Sequence, residues 1–122
     1  MELDEFTRAY IACALWSSND ESTPEGGEPM DASYGIEDIA PETLERMRAD
    51  CEDFRADEKT RECLKRLSVE QGGHDFWLTR NGHGAGFWDR GIGAAGDYLP
   101  QRAKVYGSCD LYVGDDGKVH TS

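Results

Sequence analysis

The spacing of apolar residues switches along this chain between the repeat of a helix and that of a strand, and that switching constrains the fold more than any other feature. Leu44, Met47, Cys51 and Phe54 follow one another at intervals of three, four and three, the repeat of one helix face. Glu42, Glu45, Glu52 and Asp53, with Arg46, Arg48 and Arg55, fall on the opposite face. Phe6, Tyr10, Cys13 and Ala14 repeat the pattern near the N-terminus, with Leu15 and Trp16 widening the stripe. Asp4 and Glu5 stand where a first helical turn favours negative charge. Asp38 is placed to cap the middle helix and Pro41 to open it. After Phe54 the stripe slips in phase to Cys63, Leu64 and Leu67, which predicts either a bent helix or two helices joined near Asp57, ending before Gly72 and Gly73. Helices are therefore expected over about 3–17, 41–56 and 58–69.

Beyond those glycines the period becomes two. Phe76, Leu78 and Arg80 alternate with Trp77 and Thr79, and Asn81-Gly82 is a strong hairpin-turn signal. Strands are expected at about 75–80 and 85–88, with Phe76, Trp77, Phe87 and Trp88 pairing across them as an aromatic core. Tyr98, Leu99, Ala103 and Tyr106 predict a short helix near 97–106, with Pro100 tolerated only close to its start. Leu111 and Val113 alternate with Tyr112, and Asp115-Asp116-Gly117 turns the chain, giving strands at about 109–113 and 118–121. Helices first and a small antiparallel sheet afterwards make an α+β fold, and 122 residues suit a single domain.

Charge is distributed as unevenly as period. Residues 1–70 carry 19 acidic side chains against 8 basic, and residues 71–122 carry 6 against 5, so nearly all of the net charge of −12 lies in the first 70. Such a surface repels nucleic acid and anionic lipid and attracts basic partners. The stretch at about 17–35 reads as a long irregular loop anchored by Met30 and Tyr34. It holds Asp20, Glu21, Glu25, Glu28 and Asp31 with no basic residue. No apolar run approaches the roughly 20 residues of a membrane span, and MELDEFTRAY is acidic where a secretory signal starts basic, so a cytoplasmic protein is expected. Cys13, Cys51, Cys63 and Cys109 are scattered without CxxC spacing and read as plain thiols, the alternative being a Cys51–Cys63 disulfide.

The segment HDFWLTRNGHGAGFWDRG, residues 74–91, is the most site-like. His74, Asp75, His83 and Asp89 are of metal-ligating types, but no HExxH or HxH spacing brings them together, and neither a metal nor another cofactor is expected. GHGAG with Arg80 and Arg90 could cradle a phosphate, yet no helix start follows the glycines. No GxSxG marks a nucleophile. His74, Asp75, Arg80, His83 and Asp89 thus form an alternative ligand site that depends on their converging in space.

HDFWLTRNGHGAGFWD, with ALWSS near the N-terminus, IEDIAPETL in the middle and DLYVGDDGK at the end, resembles small acidic uncharacterised proteins encoded by tailed phages, prophages and plasmids. The resemblance implies a mobile-element accessory protein and transfers no catalytic residue. Two expectations compete. One is a non-enzymatic inhibitor of the anti-CRISPR or anti-restriction type. Its acidic face, Asp20, Glu21, Glu25, Glu28, Asp31, Glu42, Glu45, Glu52 and Asp53, would occupy a basic nucleic-acid-binding surface of a host protein or complex. The other is a small enzyme or ligand-binding domain built on residues 74–91.

Overall fold

The computed structural model describes residues 2–21, 27–83 and 86–122. Among the described residues five helices precede a C-terminal hairpin, with a minimal strand pair between the first two, so the fold is α+β as expected. No helix among the described residues is long and apolar enough to cross a membrane.

Helix α1 spans Glu5–Ser17, and the Asp4 side chain caps it by accepting from the Thr7 amide at 2.9 Å. Phe6, Tyr10, Ile11, Cys13, Ala14 and Leu15 are buried, whereas Trp16 stays 58% exposed, outside the stripe assigned to it. Helix α2, Pro41–Phe54, opens on its proline and buries Met47, Cys51 and Phe54, with Leu44 at the margin. Asp38 is not its cap: Ala40 holds that position, and Asp38 instead accepts from the Gly35 amide at 2.8 Å in the 3₁₀ turn Ile36–Asp38. The slipped phase after Phe54 marks a true break. Asp57 accepts from both the amide and the hydroxyl of Thr60 and starts a separate helix α3, Glu58–Leu64. That helix stops short of residue 69 because Ser68 caps the next one, accepting from the Gln71 amide at 3.1 Å.

The next helix overturns the expected strand at 75–80. Helix α4, Val69–Arg80, contains Gly72, Gly73 and the whole run from Asp75 to Arg80, every member of which is buried. A run buried on all sides has no polar face, so alternation along it carries no information about strand or helix. The two glycines, read as a stop, are a point of close approach: a Cβ on Gly73 would lie 2.2 Å from the Phe6 carbonyl oxygen of α1. Asn81-Gly82, read as a hairpin turn, is the helix C-cap. Gly82 takes φ +70°, its amide bonds the Thr79 carbonyl and the His83 amide reaches back to Leu78, the pairing of a Schellman motif.

The expected strand at 85–88 is likewise absent where the chain is described. Residues 84–85 lie outside the described residues, and Phe87–Asp89 is a 3₁₀ turn. The four rings do not pair across strands. Phe76, Trp77 and Phe87 are buried and Trp88 is 42% exposed. The aromatic core is real but interhelical: Phe54 of α2 stacks on Phe76 of α4 with centroids 4.1 Å apart, and Tyr10, Tyr106 and Phe87 pack around them.

Helix α5 runs from Ala94 to Lys104, earlier than expected, and places Pro100 in its interior. Gly96 lies four residues earlier, and its carbonyl is the one Pro100 leaves without an amide partner. Leu99 and Ala103 face the core, while Tyr98 and Tyr106 are half-buried. Within the stretch expected to be irregular, β1 (Asn19–Asp20) and β2 (Glu28–Pro29) form a minimal antiparallel pair, and Met30 anchors it fully buried. The C-terminal hairpin is as expected but shorter, β3 (Leu111–Val113) pairing with β4 (Val119–Thr121) in the register Val113 to Val119. The Ala40 amide bonds the Val119 carbonyl at 2.9 Å and ties this hairpin to the start of α2. All four cysteines are free thiols, so no Cys51–Cys63 bridge forms; burial pushes the Cys13 and Cys51 thiols up to about 12.

Candidate partner-binding surface

From residue 9 to residue 45 the chain has no lysine, arginine or histidine and nine carboxylates. Glu21, Glu28, Asp31, Glu37 and Glu42 are exposed, and Asp20 is half-buried in β1. Glu25 lies outside the described residues. Glu37, absent from the expected acidic set, belongs to it by position: the 3₁₀ turn Ile36–Asp38 links the loop to α2 and leaves that side chain in solvent. A cation-free run of this length could have been found in the sequence by asking where basic residues stop rather than where the loop stops.

The α2 portion of the expected surface is different. Arg48 reaches Glu45 at 2.6 Å and also pairs with Glu52, and this guanidinium holds the Glu45 carboxyl below its usual range. Asp53 accepts from the Tyr106 hydroxyl, and burial together with that carboxylate pushes the phenol up to about 12. Of the five α2 carboxylates, Asp50 pairs with Arg80, and Glu42 alone has no such partner among the described residues. Acidity is therefore offset along α2 and concentrated before it.

The alternative set of His74, Asp75, Arg80, His83 and Asp89 does not converge. Asp75 is fully buried and grips Arg90 through two bonds, Nε at 2.9 Å and Nη2 at 2.8 Å, with Gln71 donating a third at 2.8 Å. His74 touches Asp75 at 3.4 Å through Nδ1 and packs on the Trp16 ring with centroids 5.9 Å apart. Arg80 turns to another side of α4. Its guanidinium donates to the Gly107 and Tyr106 carbonyls, the Tyr10 hydroxyl and Asp50, all at 2.8–3.0 Å, and so locks the end of α5 to α1 and α2. His83 lies beyond the helix end and Asp89 is exposed in the 3₁₀ turn. Both arginines of the imagined phosphate cradle are spent on these structural bonds. Among the described residues no group of three or more His, Cys, Asp or Glu side chains could hold a metal ion.

His83 instead helps line a cleft of about 520 Å³ where the end of α1, the end of α4 and the approach to β3 meet. Ser17, Asn19, Glu21, Asn81 and Asp110 share it. The Trp77 indole donates to Ser17 at 2.8 Å, and Asn81 is fixed between the Trp77 carbonyl and the Cys109 amide. With two carboxylates and no lysine or arginine in its wall, the cleft suits a cationic side chain better than an anion. It opens at the first residues of the acidic run. No protein-family model, curated protein or solved structure matches this chain.

Proposed function

We propose that the protein is a non-enzymatic competitor for a basic, nucleic-acid-binding protein surface, an accessory inhibitor of bacterial defence of the anti-CRISPR or anti-restriction type. The observation that carries this reading is the cation-free run of residues 9–45, whose exposed carboxylates include Glu21, Glu28, Asp31, Glu37 and Glu42. A negative field of this kind accelerates encounter with a basic patch and disfavours nucleic acid itself. The α2 carboxylates Glu45, Glu52 and Asp53 contribute less, because Arg48 and Tyr106 already hold them. The cleft beside Glu21 and Asp110 gives an inserted arginine or lysine of the partner a place to end. A pull-down from bacterial lysate, wild type against a variant with Glu21, Glu28, Asp31, Glu37 and Glu42 changed to their amides, tests it. A nucleic-acid-binding protein retained by the wild type and lost by the variant supports the reading. Equal retention by both, or none by either, contradicts it.

A further inference from the structure

The start of α1, helix α3 and the first turns of α4 enclose a groove of about 350 Å³, at the lower end of the roughly 300–1,000 Å³ typical of small-molecule sites. Its floor is apolar, made by Phe6, Leu64, Leu67 and Val69, and Val69 is 48% exposed. Around it stand Arg55, Arg61 and Lys65. Residues 55–66 hold five of the 13 basic side chains of a chain whose net charge is −12. An apolar groove with a cationic rim is thus the opposite in character to the rest of the surface.

The rim retains donors. Arg55 lies over the Phe6 ring at 4.4 Å and pairs with Asp4 at 2.8 Å, which fixes it as part of the wall. Arg61 uses Nη1 on the Arg55 and Ala56 carbonyls, leaving Nε and Nη2 without a protein partner among the described residues. Lys65 pairs with Glu62 at 2.9 Å, but the two side chains are 71% and 64% exposed, and an ion pair in that setting exchanges readily for another anion. We propose that this groove binds an aliphatic chain ending in a carboxylate, a free medium-chain fatty acid, with the chain on Phe6, Leu64 and Leu67 and the carboxylate between Arg61 and Lys65. A guanidinium fork and an ammonium are both suited to a carboxylate. A protein partner is disfavoured because a stable interface covers about 800 Å² per side.

Titration with decanoate below its micellar concentration, followed by calorimetry and amide NMR, tests the proposal. Saturable binding is expected, with shifts at Leu64, Val69 and Gly72, and with decanol and decyltrimethylammonium each at least about tenfold weaker, the loss of one charge-assisted hydrogen bond. Lys65→Glu, at an exposed position that does not support the fold, is expected to weaken decanoate about tenfold as well. Val69→Asp, which puts a like charge on the floor, is expected to abolish it. The proposal is overturned if decanoate leaves the groove amides unshifted, if decanol or the cationic amphiphile binds as tightly, or if Lys65→Glu binds like the wild type.

Discussion

At the scale of single residues, the fold depends on a few side chains, and glycines, that nothing else can replace. Asp75 is the clearest: it is fully buried, and its carboxylate answers both Arg90 bonds and the Gln71 amide. Asp75→Asn leaves Arg90 without its counter-charge and is expected to cost about 3 kcal/mol, read as a fall in the urea midpoint with an unchanged slope. Gly73→Ala drives a methyl into the Phe6 carbonyl and is expected to cost about 3 kcal/mol by separating α1 from α4. Gly82→Ala strains only a left-handed cap and is expected to cost about 1 kcal/mol, so chemical denaturation separates the two glycine roles. In the sequence both glycine sites were visible and both were misassigned. A glycine signals that a Cβ is unwelcome, but not whether a turn or a neighbouring helix excludes it.

At the scale of elements, α1 and α2 were legible because each has one buried and one wet face, and Asp57 was legible as a joint because the apolar phase slips there. Helix α4 was not legible, because tertiary burial on every side removes the period that distinguishes helix from strand. Phe76→Ala, which removes the ring stacked on Phe54, is expected to cost about 4 kcal/mol and to melt α4 and α2 together in hydrogen exchange. The starts of α1 and α4 also interact. Glu5 and Glu70 stand in the two first turns, and the Glu70 carboxylate beside it raises the Glu5 carboxyl above its usual range. A raised carboxyl contributes stability while protonated and loses it as pH rises through its folded value. Glu5→Gln, which keeps a donor toward Glu70, is therefore expected to raise the melting temperature at pH 7 and to match the wild type in acid, where Glu5 already holds its proton.

At the scale of the whole molecule, charge and hydrophobicity are segregated. Residues 9–45 carry nine acidic side chains and no lysine, arginine or histidine, the aromatic core lies among α1, α2, α4 and α5, and a basic-rimmed groove sits at the start of α1. The acidic surface was legible in composition, but its boundary was not, because the contribution of Arg48 depends on the register of α2 that brings it to both Glu45 and Glu52. The five-residue ligand site of residues 74–91 failed for the same reason as the strand: a helix turns Asp75 and Arg80 toward different neighbours. The most direct test of the acidic-competitor reading is the affinity for the captured partner as a function of salt, measured for the wild type and for the variant with Glu21, Glu28, Asp31, Glu37 and Glu42 neutralised. Wild-type binding is expected to weaken at least about tenfold between low and high salt, as steering is screened. The variant should start weak and change little. A wild-type affinity that is flat in salt, or a variant that binds as tightly as the wild type, would contradict that reading.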